Sequence, residues 1–358
     1  MSNNDLLQIA STFCSPLEVL SVQELGRGNI NDTYLIETAE KRFVLQRING
    51  RVFAEPEQVV TNIHRVTHHF ISAEKHTASR WQNTTLLRTD SEKFLYRDRE
   101  NHIWRCLSFI ENSYSCDVIS SPEQGYEVGW ALGCFHRMSA DLDPNSLYET
   151  IPGFHVLPQY LAEYDRIIPL PLKINSPEAR YCIQCINKYR SQAHILEQCK
   201  KTGQLPSRVI HGDPKVANVL FNNESGQAVS LIDLDTVGPG LLHYDLGDCL
   251  RSCCNAGGEE GENGAVVDFE TDICNQVMTG YFSEATGLLS ADQKKLIFEA
   301  VKLITFELAI RFFTDHLRED QYFKVSYEGE NLLRSVNQFH LMESIINREK
   351  SIRLILES

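Results

Sequence analysis

No stretch of this sequence is both long and free of charge. The most apolar run, LIFEAVKLITFELAIRFF at residues 296–313, carries Glu299, Lys302, Glu307 and Arg311, so it reads as a buried helix and not as a membrane span. A charged-then-apolar leader is missing as well: MSNNDLLQIA opens with polar residues, which sets the expectation of a cytoplasmic protein without a membrane partner. Basic residues are in short supply, 34 Lys and Arg against 48 Asp and Glu, leaving a net charge of −14. Such acidity excludes wrapping nucleic acid or lying on an anionic membrane, and leaves a small molecule as the expected partner.

The 11 cysteines lack the even count and regular spacing of a disulfide framework. Cys182 and Cys185 form a lone CxxC, and Cys249, Cys253 and Cys254 have no second CxxC to complete a zinc site, so packed free thiols are expected. There is no internal repeat and no low-complexity tract. The segment NAGGEEGENGA at 255–265 has the Gly and Glu content of a solvated loop.

At 358 residues the chain exceeds what one core holds, and two units are expected. Strand-like alternation in LSVQEL, TYLIET and KRFVLQRI is followed by a helical stretch at 56–72 and three more strand candidates, TTLLR, KFLYRD and HIWRCLSFI. The character changes after Glu111. Ser121-Pro122-Glu123-Gln124 and Ser176-Pro177-Glu178 read as helix starts, with an N-cap serine and proline at the first helical position. Helical spacing recurs at 265–284, 291–317 and 329–355, interrupted by a hairpin of VLF and VSLID. The prediction is an α+β chain: an antiparallel sheet with one helix over 1–111, then a larger, mainly helical part over 112–358.

Chemistry concentrates in RVIHGDPKVANVLF and LIDLD. Asp213 lies two residues after His211, Asn218 five after Asp213, and Asp233 and Asp235 end the second hairpin strand. Phosphoryl transfer needs hard oxygen ligands for Mg²⁺ and a carboxylate to orient and deprotonate a hydroxyl. The order His-x-Asp-x-x-x-x-Asn followed by a strand-borne Asp is that of a kinase catalytic loop. No Asp-Phe-Gly or Ala-Pro-Glu string accompanies it, which argues against a protein substrate.

These residues, over nearly the whole chain, resemble the aminoglycoside phosphotransferase and choline kinase superfamily, in which HGD…N and ID follow a kinase-like N-terminal lobe. The resemblance implies a bilobal protein-kinase-like fold and an ATP-dependent, Mg²⁺-requiring kinase of a small molecule. Within it, GNINDTYLIE, RFVLQRIN, HGDPKVANVLF, IDLDTVGPGLLHYDLGD and RFFTDHLREDQYFK are similar to the N-acetylhexosamine 1-kinases, although Asn29 stands where those have a histidine. A sugar phosphorylated at its anomeric hydroxyl is thus implied. The alternatives are a choline, amino-alcohol or aminoglycoside kinase, which would need carboxylates or an aromatic cage for a cation, and a nucleotide-binding module without turnover.

Carried over residue by residue, the resemblance makes Asp213 the catalytic base, Asn218 and Asp233 magnesium ligands, and Asp235 an alternate ligand or a support for them. Asp245 and Asp248 would brace the catalytic loop. Gly28 belongs to a loop covering the nucleotide phosphates. Where the superfamily usually carries a Lys or Arg on the third strand, Gln46 stands with Arg47 beside it, and strand alternation lets only one of them enter the cleft. Phe109 and Glu111 flank the hinge that would meet adenine. Lys215 is placed to reach the transferred phosphate, and Asn31, Asp32, Arg311 and Tyr322 are candidates for the acceptor pocket. For Arg311 the competing reading is the middle rung of a Glu307, Arg311, Asp315 ladder at i, i+4 spacing.

Overall fold

The computed structural model describes residues 3–26, 30–73, 80–169, 176–258 and 267–357. Helix α1 (Asn3–Cys14), for which the sequence gives no expectation, precedes strands β1 (Val19–Glu24), β2 (Asp32–Thr38) and β3 (Arg42–Ile48). Helix α2 (Pro56–Ala73) follows, then β4 (Tyr96–Arg97) and β5 (Ile103–Ser108). The five strands form one antiparallel sheet in the order β1-β2-β3-β5-β4. Strand alternation sends Phe43, Leu45, Trp104 and Cys106 to one face, where they pack with Ile9, Ala10 and Phe13 of α1. Residues between them in sequence, Gln46 and Arg105 among them, take the opposite face.

One strand expectation is corrected. TTLLR forms no strand and touches β5 through a single bridge, Leu86 to Leu107. The Thr85 N–H is taken by the Ser108 hydroxyl at 2.9 Å, so a side chain replaces the next rung of the ladder. KFLYRD contributes two strand residues only.

Past the hinge, β6 (Ser113–Tyr114) leads to α3 (Pro122–Met138), α4 (Leu157–Ile167), α5 (Pro177–Tyr189) and α6 (Ile195–Lys201). Ser121 and Ser176 cap α3 and α5 as the sequence predicts, each hydroxyl accepting a backbone N–H in the first turn. Strands β7 (Arg208–Ile210), β8 (Val219–Asn222), β9 (Ala228–Leu231) and β10 (Gly238–Gly240) hold the 211–235 segment, with β6-β8-β9 and β7-β10 as two small sheets. Helices α7 (Leu242–Cys253), α8 (Thr271–Glu284), α9 (Ala291–Lys295), α10 (Ile297–Leu317), α11 (Glu330–Asn347) and α12 (Glu349–Glu357) complete the chain. The fold is kinase-like, a sheet with its helices followed by a larger helical part.

The large core runs from Ile48 and α2 through α3, α7, α10 and α11. Its tightest crossing is between α3 and α8: a Cβ on Gly129 would lie 1.9 Å from the Val277 carbonyl, and one on Gly280 2.0 Å from that of Tyr126. Helix α10 contains all but the first residue of the 296–313 run and is almost wholly buried, and no described helix is long and apolar enough to cross a membrane. Cys182, Cys185, Cys249, Cys253 and Cys254 are free and buried. Of the 255–265 segment, residues 259–265 lie outside the described residues.

Candidate active site

The candidate catalytic loop leaves β7 at His211-Gly212-Asp213 and is held from several sides. Asp245, in the first turn of α7, accepts the N–H of His211 at 2.7 Å and of Gly212 at 2.8 Å. A second contact from the same carboxylate goes to His136 Nε2 at 2.9 Å. His211 donates from Nε2 to the Ile232 carbonyl at 3.0 Å, so its Nδ1 accepts the Asp213 N–H at 3.2 Å. Burial keeps the His211 pKa below its usual value, in line with a neutral ring. Gly212 sits at φ +90°, and a Cβ there would meet Thr236 at 2.8 Å. Both the backbone and the space therefore require glycine in the HGD triplet.

A further clamp was not anticipated. His155, itself at φ 62°, donates from Nε2 to the Gly212 carbonyl at 2.7 Å and presents Nδ1 to Glu307 Oε1 at 3.3 Å. The peptide plane entering Asp213 is thus fixed at its oxygen by His155 and at its N–H by His211.

The Asp213 carboxylate lies 3.3 Å from Lys215 Nζ and 3.1 Å from Asn218 Nδ2, which also donates to the Asp213 carbonyl at 2.7 Å. Asp233 takes a left-handed conformation, φ 63°, which Asp tolerates better than bulky residues. Asp233 is exposed to solvent, yet protein groups crowd around its carboxylate. That enclosure pushes its pKa up to about 7, with Asp235 and Asp213 adding to the rise and Lys215 and Arg105 offsetting part of it. The spot is short of positive charge, and its donors are hard oxygens. Among the described residues no three His, Cys, Asp or Glu side chains form a closed metal cage. Mg²⁺ does not require one, since it binds through one or two carboxylates plus phosphates and water. Asn218 and Asp233 fit that donor set.

Asp235 is buried and engaged inside the protein. Arg105 forms an ion pair with it, and Asn31 Nδ2 donates to its Oδ2 at 2.7 Å. Asn31 spends its other end on the Asn49 N–H at 2.9 Å. Both ends of the Asn31 amide are therefore committed to joining the sheet to the catalytic segment. Asp32 bridges Arg47 and, at 3.2 Å, Lys324 from the loop after α10. Neither side chain is free to serve an acceptor without breaking these contacts.

The cleft-facing residue of β3 is Gln46, paired across the ladder with Arg105. Arg47 is corrected as a phosphate partner: it lies on the other face, near Trp104, with its guanidinium bonded to Asp32 at 2.7 Å. Gly28 lies outside the described residues. At the hinge, Arg42 stacks over Phe109 at 4.3 Å and pairs with Glu111, so the Glu111 carboxylate is already occupied by an arginine of the sheet.

Helix α10 carries Arg311, one of the residues expected at the acceptor. Arg311 is mostly buried, and its guanidinium carbon lies 5.1, 5.3, 5.9 and 5.5 Å from the ring centres of Phe154, Tyr160, Tyr322 and Phe323. Glu307 Oε1 is 3.6 Å away. Burial works against the Arg311 charge, but Tyr160, Tyr322, Glu307 and Asp213 outweigh it and raise its pKa. Arg311 is a fixed cation within electrostatic reach of Asp213. Asp315 is not the third rung of a ladder, because its carboxylate accepts the N–H groups of Gln321, Tyr322 and Phe323.

Arg105, His155, Phe154 and Tyr160 were missed from sequence. Arg105 left a signal, a charge in the middle of the apolar strand IWRCLS. For His155 there was none, since its partners are far away in the chain.

A family model described as "Phosphotransferase enzyme family" matches residues 21–272. Among solved structures, a microcompartment-associated aminopropanol kinase is 13% identical with a TM-score of 0.64, covering 99% of this chain and 100% of its own. A spectinomycin phosphotransferase, solved with ADP and spectinomycin, is 14% identical with a TM-score of 0.60, covering 98% and 99%. A choline kinase from Streptococcus pneumoniae is 14% identical with a TM-score of 0.53, covering 95% and 99%.

Proposed function

Since the chain belongs to the phosphotransferase enzyme family and is a small-molecule phosphotransferase, we propose that it transfers the terminal phosphate of MgATP to a hydroxyl of a neutral sugar, an N-acetylhexosamine at its anomeric position being the leading acceptor. The observation that carries this reading is Arg311 inside its ring of Phe154, Tyr160, Tyr322 and Phe323. Aromatic cages bind ammonium ions through their ring faces. Here the chain's own guanidinium fills the cage, so a choline or amino-alcohol headgroup would meet a buried positive charge in place of a vacant ring face. A sugar suits the same surroundings: its oxygens accept from Arg311, and its apolar face packs on Tyr322.

Asp213 orients the acceptor hydroxyl and takes its proton. An anomeric hydroxyl is more acidic than an ordinary alcohol, which suits a carboxylate base. Asn218 and Asp233 are the residues that would hold Mg²⁺, which when bound supplies charge neutralisation on the phosphates. Lys215, 3.3 Å from Asp213, is placed to follow the transferred phosphate. Asp235 supports these groups through Arg105 and Asn31 and is not itself offered to the metal. In this reading Asp213, Asn218 and Asp233 together separate an enzyme from a nucleotide-binding module.

The test is an acceptor screen with MgATP across hexoses, N-acetylhexosamines, choline, amino alcohols and aminoglycosides, with the product position assigned by phosphorus NMR. Turnover of an N-acetylhexosamine to its 1-phosphate is expected. Turnover confined to a cationic acceptor would replace this reading, and nucleotide binding without transfer to any acceptor would reduce the chain to a binding module.

A further inference from the structure

We propose that Arg105 on β5 is the residue that grips the α- and β-phosphates of the nucleoside triphosphate, in the role that a lysine on the third strand plays in kinase folds. The proposal rests on the MgATP reading above. In kinases that lysine reaches from β3 to the phosphates. Here the cleft-facing position of β3 is the neutral Gln46, and the cation sits directly across the ladder from it.

The guanidinium is held for such a task. Gln46 Oε1 accepts from Arg105 Nε at 3.0 Å and from Nη2 at 2.7 Å, and Nη2 is also the end in contact with Asp235. The side chain is 1% exposed, yet Nη1 has no hydrogen-bond partner. Asp235 meets the charge, but a buried donor left without an acceptor is unfavourable unless one reaches it. Arg105 also lies within electrostatic reach of Asp233, which puts it at the end of the cleft where metal and phosphate would meet. Lys215 acts on the same Asp233 carboxylate and lies 3.3 Å from that of Asp213. A polyphosphate lying between Arg105 and Lys215 would supply the missing partner for Nη1 while Nη2 keeps its contact with Asp235. Planar guanidinium donors suit phosphate oxygens in this way.

The competing explanation is that Arg105 only ties the sheet to Asp235, as Asn31 does. Calorimetry on the full chain separates the two by comparing ADP, whose phosphates the proposal involves, with adenosine, which has none. R105Q is expected to weaken ADP and ATP by 10- to 100-fold while adenosine changes less than twofold. Equal ADP-to-adenosine ratios in R105Q and wild type would overturn the assignment. Should R105Q not fold, because it strands Asp235, the comparison moves to D235N and R105M/D235N, in which the buried ion pair is absent from both. Measured with Mg²⁺-free ADP, D235N is expected to bind more tightly than wild type, its arginine having lost a competing anion, and R105M/D235N at least tenfold more weakly than D235N. Equal binding by those two variants would overturn the assignment. A wild type that binds neither nucleotide would sink the MgATP reading and this assignment with it, whereas a wild type that binds and an R105Q that binds equally well sinks the assignment alone.

Discussion

Asp315 accepts the backbone N–H of Tyr322 at 2.8 Å, and that bond decides between two readings of α10. A salt-bridge ladder would turn Asp315 toward Arg311. Instead the carboxylate is saturated by the loop at 321–323 and by Asn331 at 3.0 Å. It folds the loop that brings Tyr322 and Phe323 to the Arg311 cation. Arg311→Ala should therefore reduce acceptor kcat/KM by about 10- to 100-fold, the size of a lost charged hydrogen bond, with the KM for ATP unchanged. Steady-state kinetics in both substrates checks this. A lower melting temperature with unchanged sugar kinetics would leave Arg311 a purely structural cation.

Asp213→Asn should preserve the fold, because the loop is held through Asp245, His155 and His211 and not through the Asp213 carboxylate. Turnover should drop by roughly 10²- to 10⁴-fold, the usual span for a positioned base. Circular dichroism and single-turnover assays on one preparation test both halves. Turnover near that of wild type would mean that another group takes the proton.

Asp233→Asn removes a carboxylate crowded by Asp235 and Asp213 while keeping a residue that accepts the left-handed backbone. Without ligand, the variant should melt higher than wild type at pH 8, where the native carboxylate is ionised. Its Mg²⁺-dependent gain in nucleotide affinity should fall by about tenfold or more. Stability and affinity moving in opposite directions is the signature, readable by scanning calorimetry and titration. An unchanged Mg²⁺ dependence would remove Asp233 as a ligand.

His155 gives the stability a pH dependence. Burial alone would drive the proton off this ring, but Glu307 of α10, Asp248 of α7 and the Gly212 carbonyl outweigh it, and the pKa lies above its ordinary value. Tyr244 packs against the ring at 5.4 Å, and Arg311 shares Glu307. A folded pKa above the unfolded one means that the stabilisation is complete below about pH 6.5 and is lost as pH rises through the folded value. The wild-type melting temperature should thus fall relative to His155→Gln across that rise, by ~2 °C for each kcal/mol involved. Parallel melting curves would dismiss the His155–Glu307 ion pair.

What the sequence determined by itself was local. Alternation marked β1, β2, β3 and β5, and serine-proline pairs marked the starts of α3 and α5, because each signal lies within a few residues of its effect; the His211 to Asp235 spacing marked the candidate site. The resemblance extended this to Arg311 and Tyr322. Tertiary structure decided the rest. Whether Gln46 or Arg47 faces the cleft depends on which sheet face α1 covers. Arg105 meets Asp235, and His155 meets Gly212 and Glu307, only after chain segments 50 or more residues apart are packed together. Asn31 and Asp32 read as pocket residues from their place in GNIND, yet packing commits them to Asp235, Arg47 and Lys324. A buried polar group must find its partner wherever the fold supplies one, and that partner leaves no mark at neighbouring positions in the sequence.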